Sequence, residues 1–268
     1  MSLCSEYDRL APFYDHVFPY RERPDVQFFV DLARADPGPV LEMGCGTGRI
    51  LLPCARAGAT MVGVDISPGM LAVCRDKLAR ESADVRARVV LVEGDMRDFE
   101  LEQRFGLIML PFRSFQHLLT VAEQRAALAA LRRHLRPNGR LVLDLFNPSL
   151  PLLADERWLS QPLVEPAVGL PDGRRMVRSM RIASRDLFEQ VQTVEITHEF
   201  TDPDGRSERH ADITRLRYLF RFEAEHLIVR EGFAIEALYA DYDRTPYGAK
   251  YPGELIFVAR RDESGVAA

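Results

Sequence analysis

The sequence predicts an α/β fold: a doubly wound, mostly parallel sheet with an antiparallel β subdomain inserted late in the chain. Three observations carry this. Short apolar runs alternate with helical spacing from residue 39 to about residue 147, and the first run enters a glycine-rich turn. After Pro148 the pattern changes to long alternating segments separated by turn residues.

Each element follows from local pattern. PVLEM (39 to 43) is a short apolar run ending in a glycine cluster, and GRILLPCARA (48 to 57) then carries helical spacing despite Pro53. TMVGVDI from Thr60 reads as the second strand; Ser67 is placed to cap a helix with Pro68 at its first position, and MLAVCRDKLARE continues it from Met70. Further strands are expected at RVVLVEG from Arg88, FGLIMLPF from Phe105 and GRLVLDLF from Gly139. An amphipathic helix over about 121 to 135 separates the last two, with Leu128, Leu131 and Leu135 on one face. Strands alternating with helices imply right-handed crossovers and a sheet covered on both faces.

Beyond Pro148 a proline-interrupted stretch to about Pro171 leads into RMVRSMRIAS, EQVQTVEITHEF and RHADITRLRYLF, whose alternation and β-branched content predict antiparallel strands. Asp202-Pro203-Asp204-Gly205 is a hairpin turn. A helix is expected from Arg221 to Glu231, closed by Gly232, and AIEALYADY and ELIFVARR read as two final strands. The organisation is therefore an N-terminal segment (1–30), an α/β core (31–147), a β-rich insertion (148–216) serving as acceptor or dimer element, and a return to the core (217–261). A frayed tail (262–268) ends the chain, and Met1 to Leu3 are set aside as partly vector-derived.

Composition narrows the function. A chain of 268 residues, 47% hydrophobic, can bury a substantial core. Its net charge of -5 offers no long-range attraction to a phosphate backbone, so nucleic acid is not an expected partner. Cys4, Cys45, Cys54 and Cys74 show neither C-x-x-C pairing nor a dense disulfide pattern, which fits free thiols in a reducing cytoplasm. The N-terminus has no basic segment followed by an apolar run, and no stretch reaches the roughly 18 apolar residues a membrane span requires, so a cytoplasmic protein is expected. His198, His210 and His226 lack metal-ligand spacing, and no metal site is expected.

The sharpest motif is VLEMGCGTGR (40 to 49), where Gly44, Gly46 and Gly48 stand at a strand-to-helix turn. Glycine there permits positive φ and lets a ligand lie against the backbone. Asp65, at the end of the second strand, can accept hydrogen bonds from both ribose hydroxyls of an adenosine ligand. The spacing is G-x-G-x-G; a dinucleotide fingerprint would need a third glycine where Arg49 stands.

This motif, with VGVDIS and EGDMRDF, resembles class I S-adenosylmethionine-dependent methyltransferases, well over residues 38 to 147 and more loosely over 212 to 261. The resemblance implies a Rossmann-like sheet with an antiparallel last strand, and S-adenosyl-L-methionine as cofactor with S-adenosyl-L-homocysteine as product. A small-molecule N or O acceptor follows, the amino-sugar N-methyltransferases included. It places the backbone of Gly44, Cys45 and Gly46 along the methionine moiety, Asp65 and Ile66 at the ribose, Met70 near the adenine, and Gly94, Asp95 and Met96 around it, Asp95 at its amino group. Glu42 acts through water near the ligand's ammonium group or is a solvated strand end. Leu110 and Phe112 complete the wall. The segment 1–30 covers the cofactor, with Tyr7 and Tyr14 in contact with it and Tyr14 also orienting the acceptor.

Transfer from a sulfonium needs mainly positioning, and a base helps when the acceptor carries a proton. LPFRSFQHLL (110 to 119) begins at the carboxyl end of the fourth strand, where open α/β sheets bind ligands, and His117 is its only side chain with an ordinary pKa near neutrality. By the same resemblance His117 faces the acceptor as a base; the competing expectation is a structural histidine satisfied by backbone. In and after the insertion, Arg174, Arg175, Arg178, Arg181, Arg206, Arg209, Arg215 and Arg217 are open to an anionic-substrate reading, but their interleaving with acidic residues favours a solvated face. Trp158, Tyr218, Tyr239, Tyr242 and Tyr247 line a pocket or, as scattered aromatics more often do, pack in the core. Two alternatives stand beside the methyltransferase: an NAD(P)-dependent oxidoreductase and a non-catalytic S-adenosylmethionine-binding protein. The expected assembly is a monomer or homodimer.

Overall fold

Apolar strands flanked by amphipathic helices can bury both sheet faces only by layering helices on each side, and the computed structural model has that architecture. It describes residues 3–17 and 23–262. Met1, Ser2 and tail residues 263–268 lie outside the described residues, as does the side chain of Cys4. Cys45, Cys54 and Cys74 are buried free thiols.

The strands are β1 (Val40–Met43), β2 (Met61–Asp65), β3 (Val89–Glu93), β4 (Phe105–Leu110) and β5 (Leu135–Leu145), then β6 (Leu163–Val164), β7 (Val168–Gly169), β8 (Arg175–Asp186), β9 (Val191–Thr201) and β10 (Ser207–Arg217), and finally β11 (Phe233–Tyr239) and β12 (Leu255–Arg261). The main sheet has the order β11-β12-β5-β4-β1-β2-β3. In it Val40 lies parallel to both Met61 and Leu107, and β12 runs antiparallel to β5 and β11, as the resemblance implied. All four residues of β1 are buried, which places the sheet's centre in the core.

The principal helices are α1 (Leu3–Leu10), α2 (Asp25–Ala35), α3 (Leu51–Arg56), α4 (Pro68–Ala79), α5 (Val121–His134) and α6 (Arg221–Arg230). Ser67 caps α4 by accepting from the Met70 amide, and Thr120 and Glu123 form a capping box on α5. α2 was not anticipated. Its buried Phe28, Phe29, Leu32 and Ala33 make an i, i+1, i+4, i+5 stripe against the sheet. α3 starts three residues later than the expected position 48, because Gly48 has φ +82° and keeps the loop open through Ile50.

The second sheet, ordered β10-β9-β8-β6 with β7 on β8, lies between β5 and α6 in the chain. The Asp202–Gly205 hairpin closes with the Gly205 amide donating to the Asp202 carbonyl at 3.0 Å. Its inner face buries Met176 and Phe200 against Leu10, Val17 and Leu170, and Phe13, Tyr14 and Phe112 pack on that cluster. Two arginines depart from the expected solvated face: Arg178 is buried and paired with Glu165, and buried Arg217 donates to the Leu119 carbonyl at 3.1 Å. Alternation along a strand turns every second residue inward, which an interleaved charge pattern does not reveal. Tyr218 and Tyr242 are core residues. Among the described residues no helix is long and apolar enough to cross a membrane.

Candidate active site

The strand order reverses between β1 and β4, so the loops after them diverge to opposite faces and leave a crevice. A cavity of about 920 Å³, its open mouth included, occupies that crevice. Residues from the carboxyl ends of β1 to β4 line it together with α1 and the turn after it.

The glycine loop forms one wall. The amides of Gly44 and Cys45 both donate to the Val64 carbonyl, at 2.7 and 3.1 Å, which ties the loop to β2. The Gly46 amide donates to Asp65 Oδ2 at 2.7 Å, while Asp65 Oδ1 accepts from the Ser67 amide at 2.9 Å. Burial raises the Asp65 pKa, and these backbone bonds pull it back toward the charged form. A Cβ at Gly44 would meet Ser114 Cβ at 3.0 Å and one at Gly48 would meet Cys74 Sγ at 2.6 Å, whereas one at Gly46 would find nothing within 4 Å. Two glycines are thus required by packing, and the third faces open space.

Of the residues singled out in the sequence, Gly44, Gly46, Asp65, Ile66 and Met70 line this wall. Gly94, Asp95 and Met96 line the cavity too, as do Tyr7, Tyr14, Phe112 and His117. Three expected residues do not line the cavity. Leu110 is fully buried in the core, and Pro111 and Phe112 make the wall instead. Cys45 packs its sulfur on β2, where a Cβ on Gly63 would come within 2.8 Å, and its amide is already used. Glu42 is buried, not a solvated strand end; burial pushes its pKa well up, opposed by Arg49, and its Oε2 has no hydrogen-bond partner among the described residues.

Met43, Arg97, Pro111, Ser114, Leu118 and Glu123 also line the cavity and escaped sequence reasoning. Glu123 was legible only as the fourth residue of the T-x-x-E capping box. Arg97 grips Asp95 in a fork, Nε at 3.0 Å from both oxygens, and reaches Glu123 at 2.6 Å, so the Asp95 carboxyl is held below its usual range by Arg97.

Elsewhere in the lining, the Tyr7 hydroxyl lies 3.0 Å from His117 Nε2. Burial pushes His117 down to about 4, and no backbone group among the described residues satisfies the ring. Asp8 accepts from the Ser67 hydroxyl at 2.6 Å and the Gly69 amide at 2.8 Å, and Arg9 pairs with Asp212, so one turn of α1 touches three parts of the molecule.

Beneath Phe112 lies a buried charge network. Phe112 and Arg113 have φ +54° and +64°. The Phe112 amide donates to Asp144 Oδ2 at 3.0 Å, and the Tyr242 hydroxyl donates to the same oxygen at 2.7 Å. Arg23 lies 3.4 Å from that oxygen, beside Asp25 and Glu254. Burial works against the Arg23 charge, but Asp144 and the other acidic neighbours outweigh it and raise its pKa. Arg49 makes two bonds of 2.6 Å to Asp25, and both guanidinium groups stand about 5 Å from the Phe112 ring centroid.

A family model described as a methyltransferase domain matches residues 40–139. A cypemycin N-terminal methyltransferase of Streptomyces sp is 36% identical over 227 residues, 83% of each chain. A dTDP-3-amino-3,6-dideoxy-alpha-D-glucopyranose N,N-dimethyltransferase of Streptomyces fradiae is 28% identical over 217 residues, 81% of this chain and 78% of that protein. Among solved structures, an S-adenosylmethionine-bound amino pentose methyltransferase from Micromonospora echinaspora superposes with a TM-score of 0.69 at 27% identity, covering 92% of this chain and 96% of that one.

Proposed function

The chain belongs to the S-adenosylmethionine-dependent methyltransferases, and from that membership we propose that it methylates a primary amine on a small polar molecule, foremost an amino sugar. The observation that supports this is one cavity lined both by the glycine loop, Asp65 and Asp95 and by Tyr7, Tyr14 and His117. An oxidoreductase lacks support, since Arg49 stands where the dinucleotide loop needs glycine.

The residues present fit the cofactor. The open space at Gly46 would take the methionine end, the Asp65 carboxylate suits ribose hydroxyls, and Ile66, Met70 and Met96 offer apolar surface for a purine. When bound, S-adenosylmethionine supplies a methyl carbon already activated by its sulfonium.

What remains for this chain is to present a nitrogen lone pair. Burial holds the His117 imidazole well below the pKa of an aliphatic ammonium, so it is a poor acceptor for the substrate's proton. The amine therefore enters unprotonated, with neutral His117 and the Tyr7 hydroxyl orienting it and Tyr14 closing the apolar side. After transfer the new ammonium gives its proton to solvent. The expected base role of His117 thus becomes that of a hydrogen-bond acceptor for the incoming N–H.

The test uses methyl-labelled S-adenosylmethionine with a panel of amino sugars, free and nucleotide-linked, a peptide with a free N-terminus, and matched compounds bearing hydroxyl in place of amine. Label is expected in one or more amines and in none of their hydroxyl counterparts. Transfer only to hydroxyls would overturn the proposal. The peptide arm is included because one relative is named an N-terminal methyltransferase.

A further inference from the structure

Among the described residues, Phe112 and Arg113 are the one pair of consecutive non-glycine residues with positive φ. The left-handed region costs an L-residue roughly 1–2 kcal/mol, so two in succession persist only where the surroundings over-determine them. The other non-glycine residues of this kind, Asn138, Gln190 and Arg244, lie singly and away from the cavity lining. Phe112 lines the cavity.

What holds the pair is visible from β5. Asp144 is fully buried, and its Oδ2 gathers the Phe112 amide, the Tyr242 hydroxyl and Arg23. The first of these bonds closes the turn from beneath, because the Phe112 amide is directed toward β5 and away from any continuation of β4. Arg23 and Arg49 flank the ring of Phe112, and Arg113 is drawn to the side by Glu254 at 3.1 Å and by the Phe146 ring. The network thus reaches the cavity through the Phe112 amide and through the guanidinium groups over its ring.

We infer that Asp144 is a positioning residue for the methyl-transfer site: its carboxylate holds Phe112 in the left-handed conformation that sets the cavity wall beside the glycine loop. It touches no substrate itself. The inference rests on the proposal that this cavity holds the cofactor, and Tyr242 supplies the control. Tyr242 donates to the same oxygen and sits in the same network, so its loss disturbs stability without removing the Phe112 bond.

Three variants, Asp144→Asn, Asp144→Ala and Tyr242→Phe, are compared by calorimetric titration with S-adenosylhomocysteine, with a thermal melt of each. Asn keeps an acceptor oxygen but loses the charge, so it should weaken binding threefold to tenfold; Ala should weaken it more than tenfold where it folds. Tyr242→Phe should lower the melting temperature yet bind within twofold of the native protein. An Asn variant binding within twofold of native, or a Tyr242→Phe variant losing as much affinity as Asp144→Asn, would overturn the inference and leave Asp144 a stability residue. Failure of the native protein to bind S-adenosylhomocysteine would instead strike the cofactor site itself.

Discussion

Replacing Asp65 by alanine should abolish most cofactor affinity while leaving a folded protein. The carboxylate accepts the Gly46 and Ser67 amides, at 2.7 and 2.9 Å, and still offers lone pairs toward the cavity for two ribose hydroxyls. Each hydrogen bond to a charged acceptor is worth about 1.5–3 kcal/mol. Taking the low end for both hydroxyls, because each would find water in the variant, the loss is about 3 kcal/mol, or somewhat over 100-fold in Kd. Asparagine is a poor substitute here. Both oxygens of Asp65 face backbone donors, so an amide NH₂ must oppose one of them, and a loss of at least about tenfold is expected. Calorimetric titration with S-adenosylhomocysteine measures the affinity and a thermal melt confirms folding. If the alanine variant is folded and binds within about threefold of native, the ribose assignment of Asp65 is wrong.

The glycines of the loop should separate by consequence. Gly46→Ala meets no atom within 4 Å, so it should cost about 1–2 kcal/mol of stability from φ alone yet block cofactor binding; Gly48→Ala, which collides with Cys74, should cost more in a urea titration. His117→Ala should bind S-adenosylhomocysteine within about threefold of native but turn over an identified amine on the order of tenfold or more slowly, and unchanged turnover would remove its role. Acid should weaken the fold through His198, which burial and Arg178 depress to about 4. Between the unfolded pKa of about 6.5 and that value the unfolded chain binds the extra proton, so stability falls as pH drops, by on the order of 3 kcal/mol in full. His198→Leu should flatten that part of the urea-midpoint profile, and an unaltered slope would show that other groups dominate.

How far the sequence reached depends on how local each feature is. The β1 loop and Asp65 stand within 26 residues of one another, and their chemistry follows from a strand, a turn and a carboxylate in fixed order. The α5 cap is equally local. Asp144 was not legible as a site residue because its partners come from residues 23, 112 and 242, and nothing in LVLDLF distinguishes a carboxylate that faces a buried guanidinium from one at a solvated strand end. Leu110 shows the converse: a place at the end of the right strand does not say which face its side chain takes. α2 was missed because VQFFV has the β-branched and aromatic content of a strand, and burial against the sheet overrode that preference.

The short helix α1 makes its ties at sequence distances of 59, 110 and 203 residues, through Ser67, His117 and Asp212. Asp212 lies on β10, so the tie to it forms only with the inserted sheet in place. A segment fastened at once to the turn before α4, to the loop after β4 and to the inserted sheet gathers all three at the cavity that Tyr7 lines, so a change in any one of them is felt there.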